Sequence, residues 1–226
     1  MGEKLLLFGP PGVGKGTQAV RLSAALRVPH ISTGDILRAS LQSHTPLGNL
    51  VRSYVENGKL VPDETIVDVV RERLAERDAR EGFVLDGFPR TVSQAAALAD
   101  ILRGTALQSD VRAGAIVDSV VVLDAPTEDL VLRLSGRRIC ESCQTSYHVT
   151  GRPPKRAGTC DRCGGTLIQR MDDVEETVRF RQQDYLQKTQ PVIDYFLQNG
   201  WPVRVVDAIG DIDQIFGRVY AAIFWR

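Results

Sequence analysis

The chain has 226 residues, enough to bury a full hydrophobic core, and we expect one compact domain with inserted lobes. Its 28 Lys and Arg balance its 28 Asp and Glu, so a net charge of zero gives no long-range attraction to nucleic acid or anionic lipid. The first apolar run is too short for a signal peptide, and no apolar stretch approaches the roughly 20 residues that span a bilayer, so we expect a soluble, cytoplasmic protein.

A glycine-rich stretch, residues 9–17, directly follows the first apolar run. Strand, glycine-rich turn and helix in this order are typical of a phosphate-binding loop, because the glycines let several N–H groups converge on one anion while the helix dipole and Lys15 add positive charge. The match to G-x-x-x-x-G-K-[ST] is imperfect, since Gly16 stands at the hydroxyl position and Thr17 follows it. The alternative is a simple Gly/Pro turn. We predict a nucleoside phosphate site.

Five short segments rich in Val, Ile, Leu or Phe are predicted strands: Lys4–Phe8, His30–Ser32, Phe83–Asp86, Ser119–Asp124 and Val203–Asp207. Most are continuously apolar, as is typical of parallel strands buried on both faces. Helical patterns are predicted over residues 17–26, 63–77, 93–102, 127–134, 173–198 and 213–224. The alternation predicts an α/β fold, a doubly wound, parallel five-stranded sheet with right-handed connections.

Two segments interrupt this alternation and are predicted to be inserted lobes. Residues 33–61 are helical and polar, and residues 137–173, here called the lid, are punctuated by Gly and Pro and carry every cysteine. The core would then consist of residues 1–32, 62–136 and 174–226. Residues 102–118 form an ambiguous connection, read as a helix followed by a loop.

Polar residues follow the predicted strand Phe83–Asp86. Asp86 ends this strand, where a carboxylate near a phosphate loop can bind Mg²⁺ or its water shell. Gly87 allows a close backbone approach, and Pro89 constrains the turn that aims Arg90. The alternative is an Asp that caps the next helix and an Arg in a surface ion pair.

The lid carries two C-x-x-C pairs, Cys140 with Cys143 and Cys160 with Cys163, separated by sixteen residues. In a reducing compartment this spacing favours tetrahedral thiolate coordination over disulfides or free thiols. Zn²⁺ is the first candidate and iron the second. Because four thiolates leave no position for water or substrate, we predict a structural metal.

Arginines are concentrated in and after the lid. Residues 133–156 contain a single acid, Glu141, and six basic residues: Arg133, Arg137, Arg138, Arg152, Lys155 and Arg156. A solvated basic face is the alternative to a mobile lid that supplies guanidinium groups to a phosphate. Arg170 and Arg181 lie about three helical turns apart and can face one crevice, whereas Arg179 is expected to pair with Glu175.

No Ser-His-Asp or Cys-His arrangement is suggested, and His30, His44 and His148 are read as structural or surface residues. A general base is not needed if the acceptor is a phosphate, because its oxygen is already anionic. Catalysis then requires alignment and neutralisation of charge by Lys, Arg and Mg²⁺.

Taken together, these motifs resemble the adenylate kinase family over almost the whole chain. The segments that carry the resemblance are residues 9–17, 32–38, 58–63, 86–90 with Gln94, 136–138 and 170–181. The resemblance implies reversible phosphoryl transfer between ATP with Mg²⁺ and AMP, which gives two ADP. The lobe 33–61 would bind the nucleoside monophosphate, and the lid is similar to the long, metal-bearing lid of some bacterial members.

The resemblance also implies roles for single residues. Contacts to ATP are implied for Gly12, Val13, Gly14, Lys15, Gly16, Thr17, Arg137, Ser146, Tyr147 and Gly210. Contacts to AMP are implied for Thr33, Arg38, Lys59, Leu60, Val61, Gly87, Phe88, Pro89, Arg90, Gln94, Arg170 and Arg181. Catalytic roles are implied for Lys15, Asp86, Arg90, Arg137, Arg170 and Arg181. The Gln94 amide suits adenine because it can both donate and accept a hydrogen bond.

The alternatives are a kinase of UMP or CMP, a GTP-using AMP kinase and, from another class, a nucleotide-regulated zinc ribbon that binds nucleic acid. The zero net charge, and basic residues without interleaved aromatics, argue against the last. We expect a monomer whose partners are ATP, AMP and ADP, without nucleic acid or membrane, although residues 102–118 and the aromatic end 224–226 leave oligomeric contacts open.

Overall fold

The protein is described by a computed structural model that covers residues 2–105 and 116–224. Its strands are β1 Lys4–Phe8, β2 His30–Ser32, β3 Phe83–Asp86, β4 Ser119–Asp124, β5 Arg137–Cys140, β6 Ser146–His148, β7 Leu167–Ile168 and β8 Val203–Asp207. Its α-helices are α1 Lys15–Leu26, α2 Thr33–Gln42, α3 Pro46–Glu56, α4 Asp63–Ala75, α5 Val92–Thr105, α6 Thr127–Ser135, α7 Glu175–Asp184, α8 Pro191–Gln198 and α9 Ile212–Phe224.

The central sheet is parallel and five-stranded, with the order β2-β3-β1-β4-β8. The five predicted strands have the observed bounds, and the predicted α/β fold class is confirmed. Along β1, Leu6 and Phe8 pack with α4, α5 and α8 on one face, whereas Leu5 and Leu7 pack with α1, α6 and α9 on the other. Because both faces are covered, the strands read as continuous apolar runs. Their carboxyl ends lie along one edge, where such sheets bind ligands.

Two smaller units stand beside this sheet. Within residues 33–61 the chain forms α2 and α3; Ser32 caps α2 by accepting from Asp35 N at 3.2 Å, and Thr45 caps α3 by accepting from Gly48 N at 3.1 Å. Within the lid, β5 pairs with both β6 and β7 in an antiparallel sheet of order β6-β5-β7. The exact limits of the two lobes stay predictions.

The helical pattern predicted over residues 173–198 is confirmed for most of its length, but it is not one regular α-helix. The chain first makes a 3₁₀ turn at Met171–Asp173, α7 begins at Glu175, and a π-helical turn at Tyr185–Thr189 separates α7 from α8. Gln190 N bonds to Tyr185 O at 2.8 Å, five residues back. Pro191 has no N–H to continue the regular pattern, so the ladder shifts by one residue just before it.

Two sequence features fall partly outside the described residues. In the connection 102–118, α5 continues to Thr105 and residues 106–115 lie outside the described ranges, as do residues 225 and 226 of the aromatic C-terminal end. Among the helices that the structure describes, none combines the length and apolar character needed to cross a membrane.

Truncation of a central core residue should cost far more stability than truncation at the sheet edge. Leu6 in β1 is fully buried, so Leu6→Ala should lower the free energy of unfolding by about 2–5 kcal/mol in urea titrations. Val205 on the edge strand β8 is 68% exposed, so the control Val205→Ala should cost less than about 1 kcal/mol. Equal losses would contradict the assignment of β1 to the centre of the sheet.

Candidate active site

The glycine-rich loop lies between β1 and α1 and opens the start of this helix to a ligand. Gly12 and Gly14 have φ values of 87° and 99°, in the left-handed region that favours glycine. A Cβ on Gly12 would lie 2.8 Å from Leu130 O, so a side chain there would collide with α6. Gly14 is the N-cap of α1 and offers no side-chain cap, so N–H groups of the first turn remain to bind an anion.

Lys15 occupies this loop in a strongly cationic setting. Its Nζ donates to Gly9 O at 2.7 Å and to Pro10 O at 2.9 Å. Burial lowers the pKa of Lys15 to about 8; the Asp86 carboxylate opposes this shift, and nearby arginines, first of all Arg90, reinforce it. A phosphate beside Nζ would supply the negative charge that this ammonium group lacks.

Asp86 lies at the carboxyl end of β3, close to the loop. It is buried, and a Cβ on Gly16 would lie 3.4 Å from its Oδ2. That distance is an ordinary van der Waals contact, so a Cβ at residue 16 would meet no steric conflict, and the structure gives no reason for the departure from the consensus. His30 on β2 places Nε2 3.5 Å from Asp86 Oδ2. His30 was expected to be a structural or surface residue, and its pairing with Asp86 leaves no mark in the sequence because it joins two different strands.

A second pocket opens beside the phosphate loop. It is a cleft of about 580 Å³ between the end of β3, α2 and the segment that follows α3. Its lining includes all the residues predicted for AMP except Phe88, Pro89 and Arg170, and also includes Gly34, Leu37, Val55, Gly58, Ile66 and Asp172. The Phe88 side chain is instead buried in the core. The structure brings the other nine predicted residues together, and their contact with AMP stays a prediction.

The backbone of Gly87 organises one wall of this cleft. Gly87 O accepts from Thr33 Oγ1 at 3.0 Å and from Arg90 Nε at 2.8 Å. Gly87 has a φ of 83°, and a Cβ there would lie 2.9 Å from Thr33 Oγ1. Arg90 N donates to Gln94 Oε1 at 2.7 Å. The Arg90 guanidinium is thus anchored through Nε, and its two terminal nitrogens have no hydrogen-bond partner among the described residues.

Two acidic residues that the sequence analysis did not assign hold the arginines of the lid and of α7. Arg137 donates to both carboxylate oxygens of the fully buried Asp173, at 2.6 and 2.7 Å. Arg181 Nη1 lies 2.8 Å from Asp172 Oδ2. The expected pair of Arg179 with Glu175 is confirmed by a hydrogen bond of 3.1 Å. In the sequence, Asp172 and Asp173 are simply two acids close to the start of a predicted helix, and no pattern indicates that their side chains point into the protein.

Arg38 pairs with Asp35 at 2.5 Å, whereas three other cations of the site lack such partners within the described ranges. Among the residues that the structure describes, Lys15, Arg90 and Arg170 form no ion pair with a carboxylate. Burial and then Arg181 lower the pKa of Arg90 to about 10, and burial followed by Arg38 and Arg137 lowers the pKa of Arg170 to about 9. These positive charges repel one another, and a bound phosphate would relieve this repulsion.

The residues predicted to contact ATP from elsewhere have different surroundings. Ser146 is exposed on β6, whereas the Tyr147 side chain is buried among the cysteines. Gly210, with a φ of 117°, lies in the loop between β8 and α9, and this loop meets α1 where Gln18 Nε2 donates to Ile212 O at 3.2 Å. ATP contacts of all three stay predictions, and the Tyr147 hydroxyl bonds within the lid, to Asp161 N and toward Cys160 Sγ.

The four lid cysteines form a cluster whose geometry could hold a metal ion. Their sulfurs lie within 4.8 Å of one another, with Cys140 and Cys163 at 3.4 Å and Cys143 and Cys160 at 3.6 Å. A zinc tetrathiolate with bonds of about 2.3 Å requires sulfurs about 3.8 Å apart, so the set fits such a metal. A hydrogen bond from the Tyr147 hydroxyl lowers the pKa of the Cys160 thiol to about 6, which favours the thiolate ligand.

His148 lies outside this cluster, as the intact four-cysteine set predicts. Its Nδ1 accepts from Gly151 N at 3.0 Å, and its Nε2 lies 3.3 Å from Leu132 O in α6. The ring thus packs the lid against α6.

A phosphate loop at the carboxyl edge of a parallel sheet, with a second arginine-lined cleft beside the same lysine, defines a nucleotide phosphotransferase of the P-loop class. The family model described as "Adenylate kinase" matches residues 7–201. The chain belongs to the adenylate kinase family.

Relatives named adenylate kinase match almost from end to end. The protein from Syntrophobacter fumaroxidans is 47% identical over 219 residues, which cover 97% of this chain and 99% of that protein. The one from Geobacter sp. strain M21 is 48% identical, with 97% and 98% covered. The one from Streptomyces coelicolor is 45% identical, with 97% and 98% covered.

Loss of the lid metal should destabilise the protein, because the small antiparallel sheet has too little apolar core to fold without it. Cys140→Ala, or removal of the metal by a thiol-competing chelator, should lower the melting temperature and release one metal ion per chain. Ser142→Ala, an exposed neighbour, is the matched control and should change neither quantity. A metal-free protein with full stability but no activity would show that the metal is not structural.

Proposed function

We propose that the protein catalyses reversible transfer of the terminal phosphoryl group of ATP to AMP, giving two ADP. The observation that carries this proposal is the position of Lys15, which lies in the phosphate loop and is electrostatically coupled to Arg90 and Arg181 of the second cleft. The loop is the donor site and the cleft is the acceptor site. One cationic centre thus serves both phosphates.

The chemistry needs alignment more than proton transfer. The acceptor is a phosphate oxygen that is already anionic, so no base has to activate it. Lys15 would exchange its bonds to the Gly9 and Pro10 carbonyls for the transferring group, and the terminal nitrogens of Arg90 would hold the AMP phosphate. Mg²⁺ bound to ATP would neutralise charge on the donor phosphates, and Asp86 would hold its water shell.

The lid would complete the site when it closes. Arg137 begins β5 directly after α6, and its tie to Asp173 joins the two ends of the lid. Closure would bring Arg137 and the neighbouring Arg170 onto the phosphates and exclude water, which would otherwise accept the phosphoryl group and turn the kinase into an ATPase.

Several finer features are part of the same proposal. The lid metal is zinc, because four thiolates at these separations suit a closed tetrahedral site. The protein acts as a monomer in the cytoplasm, where thiols stay reduced and nucleotides are the substrates. Its zero net charge supports the absence of a nucleic-acid partner.

A coupled assay tests the function directly. With ATP and Mg²⁺, turnover should be fastest with AMP in a panel of AMP, GMP, UMP and CMP, since the Gln94 amide and Thr33 line the acceptor cleft. Faster turnover with UMP or CMP would reassign the acceptor. Absence of turnover together with salt-sensitive binding of oligonucleotides would refute the kinase assignment.

Arg90→Ala should lower kcat/KM for AMP by about 10² or more, because it removes a donor that meets charge in the transition state. The melting temperature should change little, since Arg90 is only partly buried, lies among like charges and forms no ion pair among the described residues. Arg179→Ala is the control: this exposed arginine pairs with Glu128 and Glu175, and its loss should leave kcat/KM unchanged. Parallel losses of stability and activity in Arg90→Ala would instead identify a structural residue.

A further inference from the structure

The side-chain amide of Gln94 is held at both ends. Its Oε1 accepts from Arg90 N at 2.7 Å, and its Nε2 donates to Asp63 Oδ1 at 2.6 Å. A backbone N–H can only donate and a carboxylate can only accept, so both partners require the same orientation of the amide. Gln94 is 2% exposed, and its open side faces the acceptor cleft.

Asp63 is itself held firmly. This first residue of α4 accepts at Oδ2 from Thr91 Oγ1 at 2.8 Å and from Ser93 Oγ, in addition to its bond with Gln94. Partial burial raises the pKa of the Asp63 carboxyl, but the bonds from Ser93, Gln94 and Thr91 outweigh this effect and lower it. Asp63 is thus ionised at neutral pH, and it can only accept. It does not itself line the cleft.

The orientation of an amide decides which purine it can pair with. Adenine presents a donor, its 6-amino group, beside an acceptor, N1. Hypoxanthine and guanine present the reverse, an acceptor at O6 beside a donor at N1. In one orientation of the Gln94 amide, the free Oε1 lone pair can accept from the adenine 6-amino group and the free Nε2 hydrogen can donate to adenine N1. If the amide were flipped and the base stayed in the same position, the same two amide atoms would instead complement O6 and N1–H of a 6-oxopurine.

We propose that Asp63 is a positioning residue that fixes the orientation of the Gln94 amide and so makes the acceptor cleft select adenine over 6-oxopurine nucleotides. This inference rests on the proposed AMP site. Arg90 N is a second determinant of the same orientation, so loss of Asp63 weakens the selection without abolishing it.

Asp63→Asn is the sharpest variant, because asparagine keeps the shape but can either accept from or donate to Gln94. Both amide orientations then find a partner at residue 63. AMP and IMP are the probes, since they differ only at position 6 and in the proton on N1. The ratio of the IMP dissociation constant to the AMP dissociation constant, measured by calorimetry, should fall about tenfold, the effect of one hydrogen bond to a charged group.

Ser93→Ala is the matched control. It removes another donor to the same carboxylate but leaves the Gln94 bond in place, so the IMP to AMP ratio should stay at the wild-type value. Asp63→Ala, measured alongside with its melting temperature, should also lower the ratio, because Gln94 Nε2 loses its acceptor. An unchanged ratio in Asp63→Asn, or equal weakening of AMP and IMP, would show that Asp63 only joins α4 to α5 and would overturn the inference.

The two proposals fail in different ways. If the wild-type protein does not phosphorylate AMP in the coupled assay, the proposed function fails, and the inference fails with it. If wild-type turnover of AMP is fast and the ratio in Asp63→Asn is unchanged, the inference alone fails.

Discussion

The rest of the site depends on positive charges that are brought together without enough negative charge to balance them. Lys15, Arg90 and Arg170 form no ion pairs among the described residues, and burial together with neighbouring cations lowers the pKa of each. Such groups are costly to bury in the absence of an anion. Asp172 and Asp173 offset part of this cost by holding Arg181 and Arg137. Bound phosphates would supply the negative charge that is still missing. The favourable energy of phosphate binding would then come from the uncompensated positive charge of the free protein.

The geometry of the parallel sheet brings these uncompensated positive charges together. The strands β1 and β3 are neighbours and end at the same edge, so the phosphate loop after one meets Asp86 and Arg90 after the other. Helix α7 brings Arg181 to the same place from a distant part of the chain. The central strands are buried on both faces, and this rigid base holds the loops in register.

Some polar residues that do not line the acceptor cleft or belong to the cysteine cluster hold the side chains that do. Asp63 does not line the acceptor cleft, yet its carboxylate holds the amide of Gln94, which does. Tyr147 has an equivalent position in the lid, where its hydroxyl accepts from Asp161 N at 2.8 Å and lies 3.5 Å from Cys160 Sγ. Its proton is thereby directed at the sulfur. A motif residue can thus act through its side chain on the cysteine cluster while its backbone belongs to the lid sheet.

The sequence by itself determined the five parallel strands, the phosphate loop and the cysteine cluster, because each depends on a local pattern of residues. Buried parallel strands leave continuous apolar runs, a phosphate loop needs glycines at short spacing, and thiolate sites need paired cysteines. Only the tertiary structure decided the roles of Asp63, Asp172 and Asp173 and the pair of His30 with Asp86, since those partners come from different elements and no periodic pattern marks them. The π-helical turn between α7 and α8 was also not predicted. It shifts the backbone hydrogen bonds by only one residue before Pro191, which lacks an N–H, and such a shift leaves the helical pattern of side chains in the sequence almost unchanged.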